Sequence, residues 1–360
     1  MANVELLTLQ RLELPVDPPL VNARGAWQRR STLIVQLHDA QGRHGHGEAA
    51  PLPNFSTDSL PACEHALRTI PPARLAALSG VTSPRALLDA AAELLPDDVP
   101  AARFALETAL LDRLGRRSGQ PLWKLIAEAL PPTLAGPSSP IELCALLPSR
   151  GPDAAISEAR RCRRAGVKTF KLKIGPTRVG PTQLATLTAL RSALDPGIAL
   201  RLDANGSLSP EELHSTLRQL AAFQPELVEE PLAELDLEAY TGSHCPLALD
   251  ESLQTLDPAS VDAFLGLATG QALVLKPTAL GGFARCMNFA ARSVLLGRRV
   301  IVSHSLEGPI AWSACAHLAL ALRQPGAAGL WPLRHQRAES PRVVGGLLMP
   351  SDAAGLGALA

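Results

Sequence analysis

Five short runs decide the fold of this chain: TFKLKIG at 169–175, IALRLDANG at 198–206, ELVEEPL at 226–232, PLALDES at 246–252 and ALVLKPT at 272–278. Each is apolar at its start or centre, and each carries charge or polarity towards its end. Three more apolar runs, IELCAL at 141, RVIVS at 299 and GLWPL at 329, continue the series in both directions. Amphipathic stretches separate most of them: Ala154–Ala165, Thr182–Leu194, Pro210–Ala222, Pro258–Phe264, Gly282–Leu296 and Pro309–Leu322. Strands alternating with helices of this length predict βαβ units and a parallel sheet. Eight strands in about 200 residues predict a TIM-type barrel, with a doubly wound open sheet as the competing arrangement.

The charges at the run ends carry the functional information. In order they are Lys171 and Lys173, Asp203 with Asn205, Glu229 and Glu230, Asp250 with Glu251, Lys276, then Ser303, Ser305 and Glu307. In a closed barrel the C-terminal ends of neighbouring strands stand around one mouth, where sites are built. Asp203, Glu229 and Asp250, about one βα unit apart, would repel one another unless a hard divalent cation sat between them, and Mg2+ suits such an oxygen set. Lys171 and Lys173 alternate with Leu172 and so point the same way, into the barrel. A cation and a second ammonium are expected to lower a lysine there, giving a base usable near neutrality. With Lys276 opposite, the pattern predicts removal of a proton next to a carboxylate on a small molecule. One such residue alone would be read as a solvated strand-end charge; the periodic recurrence argues against that for the set.

Upstream the texture differs. Val4–Leu14 and Ser31–His38 read as antiparallel strands with a turn at 39–42, and Ser59 to about Ile126 reads as helices broken at Pro71–Pro72, Ser83–Pro84 and Pro96. The Pro- and Gly-rich stretch Pro131–Pro140 separates this α+β unit, 1–130, from the barrel, 131–334. The tail beyond 335 is expected to return to the N-terminal unit. His44 and His46 lack a nearby third ligand and are expected to be structural.

The 360 residues carry 34 Lys plus Arg against 34 Asp plus Glu, so no long-range field favours nucleic acid or an anionic membrane. Six scattered cysteines without a CxxC pair predict reduced thiols in a cytoplasmic protein. The start MANVELLTLQ has no signal-peptide pattern, and no apolar run is long enough to span a membrane. A homo-oligomer is left open.

The chain also resembles a known family. GHGEAAPLP at 45–53 looks like the Gly-Glu-Ala-x-Pro-Leu segment of the capping domain in the muconate-lactonizing subgroup of the enolase superfamily, and ALETALLDRLGRRSGQPLWKL at 105–125 like its following helix. TFKLKIG carries the KxK signature, LRLDANG, LVEEPL and LALDES the three metal-ligand motifs, and LVLKPTALGG the second lysine motif. The resemblance implies a (β/α)7β barrel with an α+β cap completed by the C-terminal tail. It implies Asp203, Glu229 and Asp250 as Mg2+ ligands, Lys173 as base and then acid, Lys171 as its tuning partner on the substrate carboxylate, and Lys276 as the cation on the other face. Asn205 would support the metal from behind. Ser303, Ser305, Glu307 and Arg24 are the candidate substrate contacts, with the loops Leu20–Arg29 and Pro53–Ser59 closing the mouth and Trp27 among them. His304 is open between substrate contact and structural imidazole.

Within the subgroup the pattern is most similar to the o-succinylbenzoate synthases, through Lys276-Pro277-Thr278 and Gly281-Gly282. SHSLEGP at 303–309 departs from the commoner Ser/Thr-Ser-x-x-Glu-Ser. Dipeptide epimerases carry an acidic pair after the eighth strand, where this chain has Trp331-Pro332-Leu333-Arg334-His335. The implied reaction is dehydration of 2-succinyl-6-hydroxy-2,4-cyclohexadiene-1-carboxylate to 2-succinylbenzoate in menaquinone synthesis. N-succinylamino acid racemase and muconate-type cycloisomerase are the alternatives within the superfamily. A decayed barrel that only binds, and a phosphate-binding barrel, are the alternatives outside it.

Overall fold

The computed structural model of the chain describes residues 4–22, 25–39, 42–136, 139–175, 179–323, 326–336 and 340–358. Three antiparallel strands come first: β1 (Val4–Asn22), β2 (Gly25–Asp39) and β3 (His44–Ala49), in that order in the sheet. The pairing of Leu20 with Trp27 and Val21 with Ala26 extends the β1–β2 ribbon through most of the segment expected to be a loop at 20–29. Arg24 lies outside the described residues. Five helices follow: α1 (Leu60–Arg68), α2 (Pro72–Ala77), α3 (Pro84–Leu94), α4 (Pro100–Ser118) and α5 (Leu122–Ala129). Proline occupies the first turn of α1 to α4, where its missing N–H costs nothing; the expected breaks at Pro71–Pro72 and Ser83–Pro84 are helix starts, and Pro96 lies in the link between α3 and α4.

The glycines of the RHGHGE run have a packing reason. A Cβ on Gly45 would lie 2.1 Å from the Ala109 carbonyl oxygen, and one on Gly47 1.9 Å from that of Ala105. Side chains at these alternate positions would push β3 off α4. His46 donates its backbone N–H to Asp112 Oδ2 at 2.9 Å, and its ring Nδ1 lies 3.6 Å from the same oxygen.

After β4 (Ile141–Glu142) the chain enters a parallel sheet: β5 (Cys144–Leu147), β6 (Thr169–Lys173), β7 (Ala199–Asp203), β8 (Leu227–Glu229), β9 (Leu247–Leu249), β10 (Gly270–Leu275) and β11 (Arg299–Val302). These seven are hydrogen-bonded in sequence order. Their connections carry α6 (Pro152–Arg164), α7 (Pro181–Ala193), α8 (Leu213–Ala221), α9 (Leu237–Tyr240), α10 (Pro258–Gly266), α11 (Pro277–Leu280) and α12 (Phe283–Leu295), with α13 (Pro309–Ala321) after β11. The architecture is α/β, a curled parallel sheet with a separate N-terminal unit. The eighth expected strand is reduced to single parallel bridges, Ala328 to Leu143 on one sheet edge and Gly329 to Ser303 on the other. Pro332 has no N–H to continue a ladder, and the chain leaves the sheet there.

The helix α13 is buried throughout and packs on α5 and β3 as well as on β11. An all-round apolar helix of this kind needs apolar neighbours on both sides. The tail divides between the units. Leu347 and Leu348, of β13 (Leu347–Leu348), pair with β4 and with β12 (Val343–Val344). Beyond them, Ser351 O accepts from Trp123 Nε1 at 2.8 Å, Gly355 O from the Leu122 N–H at 2.8 Å, and the Leu356 N–H donates to Asp112 Oδ1 at 2.7 Å.

Candidate active site

Parallel register places Lys173 beside Asp203 and Asp203 beside Glu229, at the last positions of β6, β7 and β8. Neighbours in register on parallel strands share a face, so one lysine and two carboxylates meet on one side of the sheet. Asp250 follows β9 directly and Lys276 follows β10, continuing the arc. Lys171, Lys173, Asp203, Asn205 and Lys276 line a cavity of about 960 Å³, together with Ser303, His304 and Ser305. Leu52 and Phe55 of the N-terminal unit are also in its wall.

Each acid holds a lysine. Lys173 Nζ donates to Asp203 Oδ2 at 3.1 Å and to Asn205 Oδ1 at 2.6 Å. Lys171 Nζ donates to Glu229 Oε2 at 3.0 Å and lies 3.4 Å from Asp203 Oδ2. Lys276 Nζ donates to Asp250 Oδ2 at 2.5 Å, and stands 4.5 Å from the centre of the Phe55 ring, a cation–π contact from the N-terminal unit.

Without a cation beside them, Lys171 and Lys276 are governed by the acids they touch. Burial pulls Lys171 down, but Glu229, Asp203 and Asp250 outweigh it and hold the ammonium well above its usual range. Burial likewise opposes Lys276, and Asp250 and Glu251 raise it. For these two, like-charge repulsion loses because a carboxylate oxygen lies within hydrogen-bonding distance of each ammonium. Asp203 is held below the usual carboxylate range: burial opposes this, and Lys173, Lys171 and Lys276 overcome it.

Negative charge is nevertheless in excess. Five buried carboxyls, Asp203, Glu229, Glu230, Asp250 and Glu251, face three lysines. Burial and then Glu251 push Glu230 up to about 8, and burial pushes Asp250 up to about 7 against the pull of Lys276. A divalent cation would offset two such charges, and hard carboxylate oxygens suit it. The donor chemistry therefore fits magnesium. Among the described residues, however, no three acids, imidazoles or thiols converge on one point, since each acid is drawn towards a lysine.

The other expected residues divide. Asn205 links Lys173 to Glu251, accepting from the lysine and donating Nδ2 to Glu251 Oε1 at 2.8 Å, while its N–H donates to Asp203 Oδ1 at 3.1 Å. It adopts a left-handed φ of 48°, which asparagine tolerates. Ser303 Oγ donates to the Gly329 carbonyl at 3.1 Å, and Ser305 Oγ is buried without a hydrogen-bond partner among the described residues. Glu307 does not reach the cavity. It is fully buried, accepting from Thr278 Oγ1 at 3.0 Å and from the Ser305 N–H, so its oxygens fix the wall instead of meeting a substrate.

Other residues also hold the site. Glu230 accepts from the Asp250 N–H at 2.5 Å and from Ser252 Oγ at 3.2 Å, positioning the third acid. Glu48, the glutamate of the GHGEAAPLP run, accepts from the Gly308 N–H at 2.7 Å and the Ala311 N–H at 3.0 Å, capping α13 from the N-terminal sheet. Arg30 donates to the Pro51 carbonyl at 2.9 Å and the Leu306 carbonyl at 3.1 Å, clamping the 303–308 segment to the covering loop. Trp27, Leu52, Phe55, Ala279 and Leu306 form one apolar cluster across the same junction. A buried arginine or glutamate among hydrophobic neighbours could have been suspected from strand alternation; its partner could not.

Comparison with known proteins places these features. Residues 154–359 match the family described as enolase C-terminal domain-like, and residues 4–79 match the MenC N-terminal domain. An o-succinylbenzoate synthase of Thermosynechococcus vestitus is 31% identical over 313 residues, covering 85% of this chain and 86% of that protein. The L-Ala-D/L-Glu epimerase of Bacillus subtilis is 26% identical, over 87% of this chain and 84% of its own. Among solved structures, the muconate lactonizing enzyme from Pseudomonas fluorescens, complexed with muconolactone, superposes with a TM-score of 0.86 at 22% identity, over 100% of this chain and 97% of that one. The dipeptide epimerase from Enterococcus faecalis, complexed with Mg and a dipeptide, gives 0.84 at 22%, over 99% of this chain and 100% of that one.

Proposed function

The chain belongs to the enolase superfamily and is an enzyme of it, and from that footing we propose that it is an o-succinylbenzoate synthase. The reaction is dehydration of 2-succinyl-6-hydroxy-2,4-cyclohexadiene-1-carboxylate to 2-succinylbenzoate. The observation that carries this reading is the arc Lys173–Asp203–Glu229 in register, continued by Asp250 and Lys276, with Lys173, Asp203 and Lys276 lining one cavity. We assign 131–334 to a catalytic unit, read as a (β/α)7β barrel closed by the 328–329 bridges, and 1–130 with the tail from 335 to its cap.

Asp203, Glu229 and Asp250 would hold Mg2+, which when bound supplies positive charge that acidifies the carbon next to a substrate carboxylate. Lys173, steadied by Asn205, takes the proton from that carbon as a neutral amine. Lys171 meets the substrate carboxylate alongside it. Lys276 keeps its proton and stabilises the developing anion from the other side by charge, with the Phe55 ring excluding water over it. The ammonium of Lys173 then returns its proton to the departing hydroxyl on the same face, so that water leaves and the ring becomes aromatic. Racemisation of N-succinylamino acids is the second reading, favoured by one observation: a lysine stands at each end of the arc, as two-base chemistry requires.

The test is direct. Purified protein with Mg2+ should form 2-succinylbenzoate from the cyclohexadiene substrate, excess chelator should abolish turnover, and restored Mg2+ should recover it. Full turnover in chelator would remove the metal from the account.

A further inference from the structure

His304 has two different nitrogens in two different surroundings. On one side, Gln336 fixes the ring. The Gln336 amide is itself held in one orientation, since its Oε1 accepts from the Leu333 N–H at 3.0 Å and its Nε2 donates to the Glu307 carbonyl at 3.0 Å. The second Nε2 hydrogen of that amide points at His304 Nδ1, 3.0 Å away, and the Leu306 N–H reaches the same nitrogen at 3.1 Å. Two donors aimed at Nδ1 leave it no proton, so the neutral ring carries its proton on Nε2. On the other side, His304 lines the cavity with Lys171, Lys276 and Ser305. Among the described residues Nε2 has no hydrogen-bond partner, and it is not one of the sealed polar atoms.

The ring is also kept uncharged. Burial, then Lys171, His335 and Lys276, push His304 down to about 3. Near pH 7 it is therefore neither a base, because the free lone pair faces Gln336, nor a cation.

We propose that His304 is a fixed, neutral hydrogen-bond donor to the substrate, its Nε2–H meeting an acceptor oxygen on the arm that does not react. Under the synthase reading, on which this rests, that acceptor is the succinyl carbonyl or carboxylate. Lysines already serve the reacting carboxylate, and a neutral donor discriminates by geometry where another ammonium would attract any anion. Gln336 acts through His304 and is a positioning residue.

The experiment is ¹⁵N-histidine NMR of the full chain with Mg2+, titrated with 2-succinylbenzoate at about pH 7. The free protein should show His304 as the Nε2–H tautomer, and saturation should shift that proton. His304→Leu should weaken 2-succinylbenzoate binding about tenfold, and His304→Gln, which still offers an N–H, should recover part of it. A ring protonated on Nδ1 or on both nitrogens overturns the proposal, as does an Nε2–H that stays unmoved while 2-succinylbenzoate binds. If 2-succinylbenzoate does not bind the wild type, the synthase reading falls separately, and an N-succinylamino acid is titrated instead. A shift there retains His304 as the donor; no shift with either ligand removes it. The wild-type spectra decide even where a variant fails to fold.

Discussion

Lys173 ends β6 and Lys276 directly follows β10, yet they are held differently. Lys173 donates to Asp203 Oδ2 and to the amide oxygen of Asn205, at 3.1 and 2.6 Å. Lys276 is clamped by Asp250 at 2.5 Å under an aromatic face. In the proposed mechanism Lys173 is the base and Lys276 the fixed charge. Lys173→Ala should therefore leave a folded protein whose elimination rate falls by about 10²–10⁴-fold, measured as kcat. Lys276→Arg keeps the charge with a far higher pKa, so elimination should survive in part while any racemisation disappears. Equal and complete loss of both activities in Lys276→Arg would contradict the division of labour.

At the scale of elements, the strand ends were legible because a βα repeat returns the chain to the same mouth once per unit, and β6 to β10 each left an ionisable residue there. The helices between them were equally legible from their apolar spacing: the expected Gly282–Leu296 and Pro309–Leu322 are Phe283–Leu295 and Pro309–Ala321. The one-turn α9 and α11 were not, since four residues display no period. Nor was Glu307, whose place after β11 suggested the mouth, although the turn at Leu306, with a φ of 61°, directs it into the wall. Contacts between units lie beyond any local pattern, and Glu107 is the clearest case. From α4 it accepts the Phe283 and Ala284 N–H groups, capping α12, and the approach requires Gly282: a Cβ there would lie 2.2 Å from the carboxylate, at a φ of +101°. Burial pushes Glu107 up to about 8, against the pull of those N–H groups. Unfolded, the carboxyl loses its proton above about pH 4.5, whereas the folded state keeps it to about 8, so the fold binds the extra proton. Its contribution is fully present below about pH 4.5 and is lost as pH rises through 8. Glu107→Gln stays neutral, so its thermal midpoint should fall less than that of wild type between about pH 5 and 8. Parallel midpoint curves for the two proteins would show that Glu107 is ionised in the fold.

At the scale of the molecule, the two units meet at the chemistry. The N-terminal sheet caps α13 through Glu48, α4 caps α12 through Glu107, and Phe55 covers Lys276. A site built across such a junction allows the cap to change the substrate while the arc of acids and lysines stays the same. Synthases, epimerases and racemases are all among the proteins similar to this chain. The arc alone does not choose between elimination, which needs one base, and racemisation, which needs two. The choice falls to kcat/KM for both substrates on one preparation with Mg2+. Conversion of the cyclohexadiene carboxylate to 2-succinylbenzoate should exceed about 10⁴ M⁻¹s⁻¹, with N-succinylamino acids racemised more slowly as a side activity. Racemisation faster than elimination by about tenfold or more would contradict it and establish the two-base reaction in its place.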